Sequence, residues 1–280
     1  LFSKSIGLRK YILKNLCNIT SIMIGIIGGS GVYDISLLEN INEVEMKTPF
    51  GEPSSAITMG EFQGKKVAFL SRHGKEHSIA PHKVNYRANI WALKELGVKL
   101  ILAPCAVGSM KEQIKAGDFV FVDQFIDRTH GRKITFYDNE KVCHISVAEP
   151  CCERTRKLLI ETAQELNLNY HKTGTYICVN GPRFSTKAES NLFQKWGTDV
   201  IGMTMVPESV LAREAEICYV SIAMVTDYDC WKDKSVSMKD IIETVKANSE
   251  KSKKMLMNII PKINLDEDCS CYHALDNAIA

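Results

Sequence analysis

The apolar run that starts at Met23 and breaks into Gly28-Gly29-Ser30-Gly31 does most to constrain what this chain can fold into. Too short for a helix and free of polar residues, it reads as a buried strand, and a buried strand needs helices over the faces of its sheet. The pattern recurs at Val67 to Leu70 and Lys99 to Ala103, each run ending at a polar or glycine-bearing turn. Between those two, Val84, Ala88 and Trp91 recur at helical spacing and Gly97 follows as a cap, which makes a strand-helix-strand unit. Phe119 to Val122, Thr175 to Val179 and Cys218 to Val225 add strands. Glu153 to Leu166, Lys187 to Gly197 and Ser237 to Ile260 read as helices, the last with Ile241, Val245, Leu256 and Ile260 as its apolar stripe. This alternation predicts an α/β sandwich with helices on both sheet faces. Ligand sites in such folds gather at the carboxyl ends of the strands, where the polar turns fall.

With 280 residues and no break in composition, the chain reads as one domain over 23–264, followed by a tail at 265–280. The first 22 residues carry Lys4, Arg9, Lys10 and Lys14 and no acid, as transit peptides do. An upstream extension ahead of Met23 is the preferred reading, because the first convincing strand begins there. The 35 basic and 33 acidic side chains are spread along the chain for a net charge of +2, so nucleic acid is not an expected partner. No window reaches the about 18 uncharged apolar residues of a membrane helix, so no membrane partner is expected and the chain is read as cytoplasmic.

Ten cysteines are many for a reducing compartment, yet neither repeated CxxC spacing nor a Cys/His quartet stands out, so no metal is expected. Cys269-Ser270-Cys271 can close a strained disulfide, and Cys151, Cys152 and Cys218 can pair over distance. Cys17, Cys105, Cys143, Cys178 and Cys230 read as small buried hydrophobes.

The glycine turn at 25–31 lacks the GxGxxG spacing, and no GxxxxGK[ST] follows, which disfavours dinucleotide and P-loop folds. It is either a plain tight turn or a turn whose backbone N–H groups and Ser30 hydroxyl meet an anion. Arg72 and His73, in Ser71-Arg72-His73-Gly74, offer a planar donor fork and a second donor to phosphate oxygens. Pro104 to Ser109 ends a strand in small residues that let backbone amides approach a ligand. Phe184, in Gly181-Pro182-Arg183-Phe184-Ser185, is either a core ring or a stacking surface for a purine. Asp227 and Asp229 flank Tyr228 after a mostly apolar run. As i and i+2 on an extended chain they face one way, and mutual repulsion would raise the pKa of one.

Together these segments resemble the methylthioadenosine phosphorylases of the trimeric purine nucleoside phosphorylase superfamily, over Met23 to about Ile263. The resemblance rests on Gly-Gly-Ser-Gly at 28–31, Thr-Pro-Phe-Gly-Glu-Pro-Ser at 48–54, Ser-Arg-His-Gly at 71–74 and Asn-Tyr-Arg-Ala-Asn-Ile-Trp-Ala-Leu-Lys at 85–94. Asp-Gln-Phe-Ile-Asp-Arg-Thr at 123–129, Gly-Pro-Arg-Phe-Ser-Thr at 181–186 and Thr-Asp-Tyr-Asp at 226–229 complete it. It implies a single-domain three-layer sandwich whose central sheet is mixed and partly barrel-like. It also implies reversible phosphorolysis of methylthioadenosine, with phosphate as co-substrate, no cofactor, and a homo-oligomer, trimer or dimer of trimers.

Carried over residue by residue, the resemblance puts phosphate on Ser30, Arg72, His73, the Ala106 backbone and Thr204. Met203 would lie under the ribose, while Phe184, Ser185, Asp227 and Asp229 surround the base. His144, Met238 and Ile242 would shape the 5′-methylthio pocket, to which a neighbouring subunit also contributes. Asp227 and Asp229, with His73 and Arg72, would carry the chemistry; members that take 6-oxopurines have Asn where Asp227 stands. Cys105 would stand at the phosphate site too but departs from the pattern, since members carry a Thr or Ser hydroxyl there and a thiol is the weaker donor. The resemblance further implies disulfides Cys269–Cys271 and Cys152–Cys218, as in thermophile members. The competing readings are a 6-oxopurine or methylthioinosine phosphorylase and a non-catalytic purine-binding protein.

Overall fold

Alternation along the strands sorts the core into two layers. In β1 (Met23–Gly28), Ile24 and Ile26 face one way while Met23 and Ile27 face the other. The computed structural model describes residues 22–29, 37–139, 141–232 and 238–280, without the side chains of 238–242. Ser30 and residues 1–21 of the expected extension thus lie outside the described residues. The chain continues through β2 (Glu39–Val44), β3 (Ile57–Phe62), β4 (Lys65–Ser71), α1 (Tyr86–Glu95), β5 (Val98–Ser109), β6 (Phe119–Phe121) and β7 (Gln124–Arg128). It then forms α2 (Glu153–Glu165), β8 (Tyr170–His171), β9 (Thr175–Val179), α3 (Lys187–Lys195), β10 (Val200–Gly202), α4 (Met205–Glu214), β11 (Cys218–Tyr228) and α5 (Met238–Ile259).

One mixed sheet of 11 strands organises them, and it branches at β5. Strands β4, β1, β5 and β11 run parallel side by side, with β2 and β3 added antiparallel beyond β4. Where β1 ends, β10 takes its place against the last residues of β5, pairing Ile201 with Gly108, and leads on to β9 and β7. Strand β11 also pairs with β6, which pairs with β8. Ile27, Leu70, Ile101 and Val225 pack with residues of α1 and α4 on one face. On the other face Ile26, Phe69, Leu102 and Ile222 pack with Leu159 of α2 and with Leu256 and Ile259 of α5. The expected sandwich is therefore present, with its helices on both faces.

Several elements differ from the sequence expectation, each for a local reason. The expected strand over Lys99 to Ala103 runs on to Ser109, straight through Pro104. That proline is tolerated because β1 pairs with β5 only as far as Leu102, so no partner on that side waits for an N–H at Pro104. Helix α4 escapes a periodicity search because Pro207 reads as a breaker, yet it sits in the first turn, where a missing N–H costs little. In α5, Val245 is exposed; the buried stripe holds Asn248, Ser252, Met255, Leu256 and Ile259, and the Asn248 amide donates to the Val225 carbonyl at 2.8 Å. Among the described residues no helix is long and apolar enough to cross a membrane.

All nine described cysteines are free thiols, so neither Cys152–Cys218 nor Cys269–Cys271 is bonded. The sulfurs of these four residues converge on one another, all within 4.8 Å. Cys105, Cys151 and Cys178 are buried as small hydrophobes are, whereas Cys143 and Cys230 are half-buried and Cys17 lies outside the described residues.

Gly202 shows how tightly the sheet is packed near its carboxyl edge. A Cβ there would lie 2.0 Å from the hydroxyl of fully buried Tyr176, the same hydroxyl that accepts from the Thr204 amide at 3.3 Å. Gly202→Ala is expected to cost about 1–3 kcal/mol through overpacking, read as a lower midpoint in denaturant unfolding.

Candidate active site

The carboxyl ends of β4, β1, β5 and β11 lie side by side because these strands are parallel and in register. Gly28 pairs with Ser71, and the Arg72 amide donates to the Gly28 carbonyl at 2.9 Å. Arg72 is the largest side chain buried at this edge, 2% exposed. Its Nε and Nη2 donate to the Glu208 carboxylate at 2.6 and 2.8 Å, Nη2 also to the Ile27 carbonyl at 2.9 Å, and Nη1 to the Pro104 carbonyl at 3.2 Å. Burial by itself would lower the guanidinium pKa, but the Glu208 charge holds it well above the ordinary value. The sequence presents Arg72 as an open fork; the structure commits that fork to Glu208 and leaves one Nη1–H for a ligand.

His73 is likewise more constrained than its loop position suggests. Its Nδ1 lies 2.9 Å from the Ile79 carbonyl, which only accepts, so Nδ1 carries the hydrogen and Nε2 presents a lone pair. Burial, then the Arg72 charge, push the imidazole down to about 4, so the ring is neutral at physiological pH. His73 therefore accepts through Nε2 rather than donating a second hydrogen bond.

Strand β5 forms the floor that runs from this end toward the aspartates. Cys105 is buried with Sγ 3.5 Å from the Ser221 hydroxyl, and burial pushes its thiol up, which keeps it protonated and a poor nucleophile. Ala106 is exposed although its neighbours on the strand are buried, so the edge opens there. From Pro104 to Gly108 the strand covers about 13 Å at 3.3 Å per residue. Thr204, buried, begins α4 beside this floor.

At the far end Asp227 pairs with Gly108 across β5, and the register shift between Val225 and Asp227 steps over Thr226. A Cβ at Gly108 would come within 3.7 Å of Asp227 Oδ2 and 3.1 Å of the Ile201 side chain, so only glycine leaves this space open. The Thr226 hydroxyl lies 2.5 Å from Asp227 Oδ1 and 3.2 Å from the Val107 carbonyl. Burial first, and Asp229 as well, raise Asp227 to about 6 against the pull of the Thr226 hydrogen bond. Asp229 is buried with Oδ2 unpartnered among the described residues, and so is the Ser185 hydroxyl. The Cys230 thiol donates to the Ser185 carbonyl at 3.3 Å, which links these two segments. Two orphan polar groups in one neighbourhood mark where a ligand would complete the bonding.

The middle of the site is held by a residue that the sequence does not single out. Arg132 donates to the Asn180 carbonyl at 2.8 Å, the Met203 carbonyl at 2.9 Å and the Val206 carbonyl at 2.5 Å, and reaches the Tyr86 hydroxyl at 3.2 Å. Gly181, at φ +63°, lies so close to Met203 that a Cβ would stand 2.5 Å from its sulfur. Met203 and the Gly181 turn are thereby positioned together. Glu208 was equally hidden; an acid within Met205-Val206-Pro207-Glu208-Ser209-Val210-Leu211 was its one visible signal.

Other expected residues stand apart on this single chain. Phe184 is 62% exposed rather than in the core, and His144 is exposed with its amide donating to the Ala278 carbonyl at 2.8 Å. Ser30 and the side chains of Met238 and Ile242 lie outside the described residues.

Comparison with known proteins identifies the family. The family model described as Phosphorylase superfamily matches residues 23–261. A relative from Thermofilum pendens named S-methyl-5′-thioadenosine phosphorylase is 53% identical over 258 residues, 92% of this chain and 98% of its own. One of the same name from Nitrosopumilus maritimus is 53% identical over 91% of this chain and 97% of its own. The crystal structure of a methylthioadenosine phosphorylase from an Antarctic soil metagenomic library superposes with a TM-score of 0.88 at 41% identity, over 93% of each chain. Methylthioadenosine phosphorylase from Schistosoma mansoni in complex with adenine superposes with a TM-score of 0.84 at 40% identity, over 89% of this chain and 93% of that one.

Removal of Glu208 strands the Arg72 charge in the interior. Glu208→Ala is expected to lose about 3–5 kcal/mol of stability in a urea titration, well beyond what its packing alone would cost.

Proposed function

This chain belongs to the phosphorylase superfamily, and on that premise we propose that it catalyses the reversible phosphorolysis of S-methyl-5′-thioadenosine to adenine and 5-methylthioribose 1-phosphate. Its place is then purine and methionine salvage in the cytoplasm, with phosphate as co-substrate and no cofactor. The observation that carries the reading is Asp227, raised to about 6 at one end of the β5 floor whose other end is bound to Arg72.

Phosphate enters at the Arg72 end. Because Arg72 and Glu208 neutralise each other, the guanidinium contributes direction more than charge, through its remaining Nη1–H. Neutral His73 accepts the O–H of monohydrogen phosphate at Nε2, turning an ionised oxygen toward the sugar. Ser30, Thr204 and the backbone at Ala106 supply further donors. The aligned oxygen attacks the anomeric carbon as the bond to the purine nitrogen breaks, an effect of proximity and orientation. Positive charge grows on the ribose, lying over Met203, and negative charge on the base.

Asp227 in its acid form donates its proton to N7 of the departing purine, and its other oxygen and Asp229 accept from the 6-amino group. Ser185 hydrogen-bonds the base and Phe184 stacks on it. A carboxylate repels a 6-oxo group, which argues against inosine-type substrates. His144, Met238 and Ile242 would line the methylthio pocket. The exposure of Phe184 and His144 supports completion of that pocket by a second copy of the chain, in a trimer or dimer of trimers.

A phosphate-dependent assay on methylthioadenosine, adenosine and inosine tests this directly. Adenine release is expected only with phosphate, fastest from methylthioadenosine; faster turnover of inosine, or none at all, would overturn the proposal. Since the protonated form of Asp227 is the active one, kcat/KM should fall as pH rises through about 6 in the free enzyme. Asp227→Asn should remove that limb, lower kcat/KM for methylthioadenosine by about 10²- to 10⁴-fold and move preference toward 6-oxopurines. Cys105→Ser, restoring a stronger donor beside Ser221, should lower the phosphate KM.

A further inference from the structure

Away from this site, Cys152, Cys218, Cys269 and Cys271 bring four sulfurs within 4.8 Å of one another. They come from separate parts of the fold. Cys152 is the N-cap of α2, Cys218 opens β11, Cys269 is the N-cap of the short 3-10 turn at Ser270–His273 and Cys271 lies within that turn. Three are buried and Cys269 is half-buried. We propose that these four thiolates form a tetrahedral site for one zinc ion that locks the C-terminal tail to the body of the protein.

The geometry fits the ion. A Zn–S bond of about 2.3 Å sets tetrahedral sulfurs about 3.8 Å apart, and Cys152 and Cys269 stand at 3.8 Å. That contact crosses the pairing expected for disulfides, which would join Cys152 to Cys218 and Cys269 to Cys271. Four mutually close sulfurs are what a single ion needs; two bonded pairs require no such convergence. Protein ligands in all four positions also make a closed site, of the structural rather than the catalytic kind.

The surroundings favour sulfur that carries charge. Arg213 Nη1 points at Cys271 Sγ from 3.4 Å, Thr155 Oγ1 at Cys152 Sγ from 3.4 Å, and Arg154 Nη2 at Cys218 Sγ from 4.0 Å. Zinc with four thiolates has a net charge of −2, and the two guanidiniums oppose it. Cys152 also begins a helix, where the free N–H groups and the dipole favour an anion. Binding requires only that each thiol release its proton to solvent. Disulfide formation would instead need an oxidant to remove two electrons per bond.

The site has a consequence for the tail. Beyond Cys271 the chain returns to pair Ile279 with Cys143, and the Ala280 amide donates to the Val142 carbonyl at 2.9 Å. The ion would therefore brace the strand of chain that holds His144.

The test uses full-length protein without an affinity tag, purified with reductant and no chelator. Zinc by mass spectrometry should be about one per chain, and all ten cysteines should react as thiols after denaturation without further reductant. Cobalt added to the metal-free protein should give the visible bands of a tetrahedral thiolate site, a readout that needs no variant. Cys269→Ser/Cys271→Ser should lose the zinc, while Cys151→Ser, adjacent but outside the quartet, should keep it. Metal-free protein that takes up neither zinc nor cobalt overturns the proposal. So does zinc retained by the double variant, or a Cys152–Cys218 disulfide in protein whose thiols were alkylated before lysis.

Discussion

The buried ion pair between Arg72 and Glu208 is the constraint around which the carboxyl edge of the sheet is assembled. One guanidinium binds the Ile27 carbonyl at the end of β1, the Pro104 carbonyl in β5 and the carboxylate of α4, while Glu208 also accepts from the Tyr219 hydroxyl of β11 at 3.0 Å. Four elements thereby share one set of charge-assisted bonds in a region closed to water. Buried charges of this kind hold geometry because every alternative arrangement leaves one of them unpaired. His73 inherits its neutral state partly from the same guanidinium, so the proton inventory of this end follows from the pair.

The aspartate end obeys a different logic. Asp227 stays half-buried, meets a single hydroxyl and lies near a second carboxylate, so its pKa is raised to about 6. One end of the edge is saturated with partners and fixed. The other is left short of them, with Asp229 Oδ2 and the Ser185 hydroxyl unbonded among the described residues. That asymmetry suits a reaction in which the nucleophile must be aligned and the leaving group must be met by a proton.

Stability and site geometry also meet in the tail. The turn bearing Cys269 and Cys271 packs against the start of α2 and of β11, and the residues after it hydrogen-bond the segment of Val142 and His144. Whatever holds the sulfurs together acts through the backbone on that segment.

Much of this was legible from the residues. The apolar runs at 23–28 and 67–70 are strands, the alternation of strands and helices gives the sandwich, and Asp227 stands near the end of its strand, because burial of strands and solvation of their ends leave local signatures. Other features have no local signature. Glu208 is separated from Arg72 by most of the sheet, Arg132 sits in an ordinary polar loop, and the four cysteines of the quartet share no motif spacing. Pro104 looked like the end of a strand because the early end of β1 beside it cannot be seen in sequence. The sequence by itself determined strands such as β1, β4, β9 and β11, the helices α1, α2, α3 and α5 and the polar turns at the strand ends, since those depend on neighbours along the chain. Only the tertiary structure decided which charges are paired, which nitrogen of His73 carries its hydrogen and which sulfurs meet, since those depend on groups that folding alone brings together.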